Sequence, residues 1–371
     1  MVARNEIIYS KNKDIAHLQD LIRQFRLKEF AELAKKLKLE LKGEMLGQLY
    51  LLIAQLKFLA TDETFFDDLN AANGLLKTPP AITPIFSYLE PLDPNGYFLF
   101  KPEEDSVAIY VQTLHNAEAM IKDYFGQDGY GYRIQIEGEI LYFNGKIEEA
   151  ISLAESHIEL QLKRENYILA TMASYLLLRC YLASGDSEGT ERMILQVIKW
   201  SKSAPDVPYA KMYQTIRDWI NLTTGWSGDT PRFHTTPRGT MYPALEDRRE
   251  AVQKGIAELG PTEQPIYDFV KMTYPAICTH RELYMQIFYA MAHYSIGDYK
   301  QADEIFYQAY VWSRQNDIIM PFAECGKHVT LLLDGIEQRG DVDQVWIKKV
   351  RSLANQYEVH LAKFRKDYIH I

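Results

Sequence analysis

LYFNGKIEEA, at residues 141–150, holds a glycine followed by Lys, and an alanine lies five places after that glycine. The same pattern, with Asp after the glycine and a small or branched residue five places on, recurs in three further stretches: YLASGDSEGT at 181–190, HYSIGDYKQA at 293–302 and IEQRGDVDQV at 336–345. The first two glycines are 40 residues apart. A period of this size is typical of helical solenoids, in which each unit is a helix, a tight turn and a second helix. The pattern predicts an all-α fold and favours binding over catalysis.

The composition is that of an ordinary folded, soluble protein. Of 371 residues, 47% are hydrophobic and 25% are charged, so disorder is not expected. The net charge of −9 argues against direct binding of nucleic acid, because affinity for a polyanion comes from Lys and Arg displacing counterions. Cys180, Cys278 and Cys325 are far apart and form no CxxC pair, which favours a reducing compartment over a disulfide framework.

No targeting or membrane segment is evident. The N-terminus, MVARNEIIYSKNKD, lacks the apolar core of a signal peptide. The longest apolar stretch, 46–60, is interrupted by Gln48, Gln55 and Lys57 and is too short and too polar to span a bilayer. We therefore expect a cytoplasmic protein without a membrane partner.

Apolar residues recur at helical spacing along almost the whole chain. The predicted helices are a pair in 15–41, then 46–60, a helix beginning at Phe65, 104–124, 130–143, 147–163, 167–183, 187–203, 208–224, 244–259, 263–277, 280–296, 299–315, 321–338 and about 342–364. Prolines and glycines predict irregular excursions at 78–97 and 225–243, and no convincing strand is found. We expect one domain, 1–371, built as a right-handed superhelical solenoid of about eight tetratricopeptide-like helix pairs.

The register of the repeats also predicts which residues line the inner side. Counting back thirteen, ten, six and three residues from each turn gives four rows that mix aromatic, aliphatic and polar side chains. The candidate binding residues are Tyr132, Gln135, Glu139, Tyr142, Tyr175, Arg179, Met212, Thr215, Trp219, Tyr284 and Met291. Such a mixture suits a concave groove for a small molecule or an extended peptide. The alternative is that these side chains only pack against the next repeat; Glu139 and Arg179 are the most informative, because a charge on the inner wall needs a partner or solvent.

The last third of the chain resembles a known family of regulators. The run Ile318-Ile319-Met320-Pro321-Phe322-Ala323-Glu324-Cys325-Gly326, with Leu331-Leu332-Leu333 after it, resembles the "MPF-x-E-x-G…LL" segment of MalT-type regulators of the LuxR class. Trp346-Ile347…Val350…Leu353-Ala354…Tyr357-Glu358…Leu361, the repeat Tyr294–Ala302, and Gly129, Gly131, Glu137 and Asn144-Gly145 are similar as well. The resemblance implies a superhelix of tetratricopeptide-like repeats that receives an inducer or a partner protein.

The chain departs from that family at both ends. The family's ATPase domain precedes this region and its DNA-binding helix-turn-helix follows, whereas this chain has no G-x-x-x-x-G-K-[ST] loop and ends at Ile371. The sequence leaves open a free-standing sensor module or a chain from which the remainder was removed. DNA binding is not carried over to these residues.

Motifs for catalysis or metal binding are not found. The nine histidines form no HxxxH or HExxH pair, and no G-x-S-x-G elbow occurs. We therefore expect no enzyme activity, no cofactor and no metal, but a sensor or scaffold that binds a small-molecule inducer, a protein or peptide partner, or both, in bacterial transcription regulation. The alternatives are a pure protein-interaction scaffold without small-molecule input and a hydrolase with its site at the 225–243 loop; homo-oligomerisation is left open.

Overall fold

The computed structural model describes residues 7–24, 26–87, 94–97, 99–100, 104–203, 210–224, 226 and 278–369. These residues are almost entirely helical, which confirms the all-α prediction for them. The helices predicted at 244–259 and 263–277, and the 225–243 excursion apart from Trp226, lie outside the described residues.

The described helices are defined here in chain order. The first half contains α1 (Lys13–Arg23), α2 (Leu27–Glu40), α3 (Gly43–Leu59), α4 (Phe65–Leu75), α5 (Ser106–Asn116), the single turn α6 (Glu118–Met120), α7 (Gly126–Phe143), α8 (Ile147–Lys163), α9 (Tyr167–Ser184), α10 (Ser187–Ser203) and α11 (Ala210–Thr224). The second contains α12 (His280–Ser295), α13 (Tyr299–Arg314), the short α14 (Met320–Ala323), α15 (Lys327–Glu337) and α16 (Gln344–Tyr368). A 3-10 turn at Ile85–Ser87 and a π-helical turn at Ile121–Phe125 complete the helical elements of these ranges.

Consecutive helices pack as hairpins, consistent with helical repeats. α3 packs on α4, α7 on α8, α8 on α9, α9 on α10 and α12 on α13. Tight turns join the members of each pair, so neighbouring helices run antiparallel. The turns at Gly145, Gly185, Gly297 and Gly340 all have positive φ, between 73° and 82°, a backbone conformation that glycine adopts without a steric penalty.

The small residue after the turn lets the helices cross in three of the four copies. Ala150, Thr190 and Ala302 are fully buried, whereas Val345 of the fourth copy is 77% exposed. In that copy α16 begins four residues after Gly340, not two, because Asp343 caps it by accepting from the Val345 and Trp346 amides. This shift of two residues turns Val345 outward.

The last helix, α16, lies across the ends of three earlier helices. Its donor side chains reach carbonyl oxygens at the C-termini of α7, α9 and α11, which have no partner within their own helices. The pairs are Lys349 Nζ to Asn144 O at 3.3 Å, His360 Nδ1 to Ala183 O at 2.8 Å and Arg365 Nη2 to Thr223 O at 2.8 Å. The acceptors recur at about the repeat spacing, and positive charge at a helix C-terminus is stabilising. The chain thus folds back on its own middle repeats.

Substitution of two turn glycines tests this docking. Gly185 and Gly297 share a φ of 82°, but a Cβ on Gly185 would approach the His360 ring to 2.8 Å, whereas a Cβ on Gly297 meets nothing within 4 Å. Gly297→Ala should lower the free energy of unfolding by about 1–2 kcal/mol, the cost of the left-handed conformation. Gly185→Ala should cost more, because α16 must also shift. Equal losses, measured by urea denaturation, would show that α16 does not pack tightly on this turn.

Two elements differ from the predictions. The helix predicted at 321–338 is split into α14 and α15, because Gly326 adopts a φ of 55° and a ψ of −138°, which do not continue a helix. A two-residue antiparallel ladder pairs Leu99 with Thr279 and Phe100 with Cys278, where no strand was expected. In the predicted 78–97 excursion, the described residues 78–87 and 94–97 are irregular apart from the 3-10 turn, as expected.

One helix in the described part of the chain, α9, has the length and mean hydropathy of a membrane span. However, 78% of that apolar window is buried inside the protein. A buried core helix has the same properties, so this finding is compatible with a soluble protein.

Candidate functional site

The predicted inner-face residues come together in the structure, but they are not open to solvent. They lie on α7, α9, α11 and α12, and each is less than a tenth exposed: Tyr132, Gln135, Glu139, Tyr142, Tyr175, Arg179, Met212, Thr215, Trp219, Tyr284 and Met291. The repeat register thus selected side chains that are buried in the fold. The expectation of an open groove fails at these positions.

The chain itself fills the space between these helices. Residues 94–97, which we call the inserted segment, contact α7 and α9, and α14 and α16 pack against α7 and α9 from the C-terminal side. In this structure the candidate side chains therefore pack against other parts of the chain, which is the alternative that the sequence left open. Periodicity shows which side of a helix turns inward, but it does not show what occupies the space there.

At the centre lies a buried ion pair between the middle and the C-terminal repeats. Arg179 Nη2 lies 2.6 Å from Glu324 Oε1, and the two side chains are 0% and 6% exposed. Both residues were named from sequence, Arg179 as an inner-wall charge that needs a partner and Glu324 within the family-like MPFAECG segment. A charge this deeply buried requires a partner, and each supplies the other.

Two tyrosines complete this group, which we call the Arg179 cluster (Arg179, Glu324, Tyr142 and Tyr284). The Tyr142 hydroxyl donates to Glu324 Oε1 at 2.5 Å, and the Tyr284 hydroxyl donates to Oε2 at 3.0 Å. Arg179 Nη2 also donates to the Tyr284 hydroxyl at 2.9 Å, and its guanidinium lies 4.4 Å from the Tyr142 ring centroid, a cation–π distance. Four separate helical segments therefore meet through one connected set of polar contacts.

Burial controls the protonation of the groups around this cluster. Desolvation, reinforced by the Glu324 charge, raises the pKa of the Tyr142 hydroxyl well above its ordinary value, and the same is true of Tyr357 on α16. Burial likewise raises the pKa of the Cys180 thiol, so this cysteine stays protonated and packs as a core residue. These groups are therefore neutral near pH 7.

A second polar group joins α7 to the inserted segment. The Glu139 carboxyl accepts from Gly96 N at 2.9 Å and from Tyr97 N at 2.5 Å, and Gln135 Nε2 donates to it at 2.6 Å. Arg179 Nη1 donates to Asn95 Oδ1 at 3.3 Å. Glu139 and Arg179, the two ionisable residues singled out in the sequence, thus both form hydrogen bonds with the inserted segment.

His280, the first residue of α12, holds the other side of the segment. Its Nδ1 lies 3.2 Å from Tyr97 O, and since a carbonyl oxygen only accepts, Nδ1 carries the proton. The ring stacks on Phe143 at 4.0 Å and meets Tyr97 edge-on at 4.5 Å. Burial lowers the pKa of His280 to about 3, so the imidazole is neutral near pH 7.

The stability contributed by Glu139 should depend on pH. Burial raises the pKa of its carboxyl to about 7, although the hydrogen bonds it accepts and the nearby Arg179 charge act in the opposite direction. Between pH 4.5 and 7 the folded state keeps a proton that the unfolded state releases, so this contribution is complete below pH 4.5 and is lost as pH rises through 7. The free energy of unfolding falls by about 3 kcal/mol at most, because each unit of difference between the folded and unfolded pKa values corresponds to about 1.4 kcal/mol.

Glu139→Gln isolates this effect, because glutamine stays neutral and the buried histidines titrate identically in both proteins. From pH 5 to pH 8, urea denaturation should show the unfolding free energy of the wild type falling relative to that of the variant by about 2–3 kcal/mol. A difference between the two proteins that does not change with pH would mean that Glu139 is already ionised at pH 5.

The remaining predicted residues form the apolar part of the inner face. Tyr175 and Trp219 meet edge-on at 5.5 Å, and Arg179 lies 5.6 Å from the Tyr175 ring. These three therefore face a common interior, as the register predicted. Met212 and Met291 are also buried in the hydrophobic core.

Sequence reasoning missed the residues that reach this face from distant parts of the chain. They are Asn95 and Tyr97 of the inserted segment, His280 and Tyr357. The prolines around Asn95-Gly96 signalled an excursion, but nothing in them signalled its return to the inner face. His280 was considered only as a metal ligand, and Tyr357 only as part of the family resemblance.

A surface depression in the described ranges lies elsewhere. It has a volume of about 590 Å³, is open to solvent, and is lined by Tyr9, Lys13, Ala16, His17, Asp20 and Arg23. It shares no residue with the predicted inner face. It therefore lends no support to a groove at the predicted positions.

Comparison with known proteins adds no relative to these observations. No protein-family model matches the chain, and no curated protein is significantly similar to it. The likeness to MalT-type sensor regions therefore rests on the residues quoted above.

Proposed function

We propose that this chain is a non-enzymatic receptor built as a right-handed superhelix of tetratricopeptide-like repeats. Its inner face would bind a partner protein or a small-molecule inducer, in the cytoplasm, as part of bacterial transcription regulation. Three features support this proposal: left-handed turn glycines at repeat spacing, three successive helix ends capped by α16, and inward residues that converge from several repeats.

The observation that carries the proposal is the inserted segment. The inner face already holds an irregular stretch of chain, with Glu139 accepting from two successive main-chain amides and Arg179 donating to the Asn95 side chain. Polar groups of this kind, fixed by their neighbours and bonded to main chain, are suited to binding an extended peptide. The segment occupies this face now, so a ligand would have to take its place or enlarge the space beside it.

The Arg179 cluster offers the element that a ligand could act on. It joins α7, α9 and α12 to Glu324 through contacts that are each directional. A ligand that prefers an opened arrangement would shift the population toward it and expose a different outer surface. By this mechanism, ligand binding at the inner face would change the outer surface that a regulatory partner binds.

A pure interaction scaffold without small-molecule input is the alternative that the same observation favours, because what the inner face holds is polypeptide. The hydrolase alternative places its site at 225–243, outside the described residues apart from Trp226. It has no observation in its favour.

Thermal-shift screening against sugars, nucleotides and peptides tests the proposal. A ligand at one hundred times its dissociation constant should stabilise the folded state by about 2.7 kcal/mol. The response should weaken in Tyr284→Phe, which removes the hydroxyl between Arg179 and Glu324, and persist in Lys163→Ala, an exposed change on the outer helix α8. A stabilising ligand that affects both variants equally would not bind at the inner face.

A further inference from the structure

We propose that the inner face of α7, together with the start of α12, is a docking site for an extended peptide of a partner protein that carries the pattern Asn-Gly-aromatic. The chain's own Asn95-Gly96-Tyr97 displays this pattern and occupies the site. The inference rests on the proposed function and deepens it, since it names the chemistry of the partner.

The first step is that the site recognises main chain. Both oxygens of the Glu139 carboxyl are used, one for Gly96 N and the other for Tyr97 N, while Gln135 holds the carboxyl in place. His280 Nδ1 then binds the Tyr97 carbonyl oxygen. Amides and carbonyls are common to every peptide, so these contacts supply affinity without regard to sequence.

The ladder that follows continues this recognition. Leu99 and Phe100 pair antiparallel with Thr279 and Cys278, directly before His280. An extended strand beside residues 278–279 is the geometry of strand addition, in which a peptide joins an exposed edge. Main-chain contacts are therefore made at Gly96 and Tyr97 and again at Leu99 and Phe100.

The second step is that three neighbouring positions select side chains. Arg179 Nη1 donates to Asn95 Oδ1, so the first position needs a short acceptor. A Cβ on Gly96 would lie 3.2 Å from Ile136 Cγ1 and 3.3 Å from Gln135 Cγ, both on a packed helix, so the second position admits glycine best. The Tyr97 ring is 3% exposed and meets His280 edge-on, so the third position is an aromatic pocket.

The third step concerns competition. Because the inserted segment is part of the same chain, its effective concentration at the site is in the millimolar range. A free peptide of equal intrinsic affinity at a lower concentration therefore cannot displace it. A partner must bind more tightly, or the inserted segment must first be weakened. The site is therefore expected to be closed in the resting protein, as the structure shows it.

The experiment uses the full chain and a labelled synthetic peptide, PLDPNGYFLF, which copies residues 91–100. Tyr97→Ala, which empties the aromatic pocket, should bind this peptide at least about tenfold more tightly than the wild type by fluorescence anisotropy, because the internal competitor is weakened. A peptide with valine in place of its glycine, and one with alanine in place of its tyrosine, should each lose most of that binding.

A second variant covers the case in which Tyr97→Ala does not fold. Asn95→Ala removes the contact to Arg179 but keeps the Tyr97 ring, so it should raise peptide affinity by a smaller factor, about threefold, with an unchanged circular dichroism spectrum. The inference is overturned if no folded variant binds the peptide more tightly than the wild type, or if the valine peptide binds equally well. A stabilising sugar or nucleotide found alongside that failure would leave the proposed receptor function intact.

Discussion

Replacing Arg179 with alanine should lower the free energy of unfolding by about 3–5 kcal/mol. The substitution leaves the Glu324 carboxylate 6% exposed and without its cation, and it removes the donor to the Tyr284 hydroxyl. A buried charge without a partner costs far more than the ion pair itself contributes. Urea denaturation followed by circular dichroism measures the loss.

An exposed ion pair with the same nitrogen–oxygen distance serves as a control. Lys163 Nζ and Glu159 Oε1 are also 2.6 Å apart, but both side chains are 70% exposed. Lys163→Ala should therefore change stability by less than about 1 kcal/mol. The double variant Arg179→Met/Glu324→Met should be more stable than Arg179→Ala, because it leaves no buried charge. Equal small effects of Arg179→Ala and Lys163→Ala would show that Arg179 is hydrated.

Trp219→Ala should lower the free energy of unfolding by a similar amount, about 3–5 kcal/mol. The Trp219 side chain is 2% exposed and packs edge-on against Tyr175, so alanine leaves a large cavity between α9 and α11. Thermal denaturation monitored by circular dichroism measures the loss. Trp219→Phe keeps an aromatic ring and should lose clearly less; equal losses for the two variants would mean that the site collapses around whichever side chain is present.

These effects change how the inner face must be probed. On the open groove wall that the sequence predicted, Arg179→Ala and Trp219→Ala would weaken binding and leave folding intact. In the structure both are buried, so their substitution acts on stability first. Removal of a single hydroxyl, as in Tyr284→Phe, is the gentler probe of binding.

The sequence predicted the local structure of the repeats well. The helices expected at 147–163, 167–183 and 187–203 agree with α8, α9 and α10 to within one residue. Their ends follow from local chemistry: a glycine that adopts positive φ, and a small residue where two helices cross. Where that chemistry changes, as at Asp343 and Gly326, the predicted bounds fail.

The closing of the inner face could not be predicted in the same way. It depends on two contacts between distant parts of the chain. Asn95 and Arg179 are 84 positions apart, and Tyr142 and Glu324 are 182 positions apart. Such contacts depend on how helices that are distant in the chain are arranged in space, which no short pattern in this chain encodes. Helical periodicity in a single sequence predicts which face of a helix is buried, but it does not predict which residues pack against that face.

Amide hydrogen exchange of the inserted segment is the most direct test of an inner face filled by the chain itself. In the wild type, the Gly96 and Tyr97 amides should exchange slowly, because both donate to the buried Glu139 carboxyl. Their exchange should accelerate in Asn95→Ala, and it should accelerate in the wild type when a ligand occupies the inner face. Exchange of these two amides at the rate of an unstructured peptide in the free wild-type protein would contradict a closed inner face.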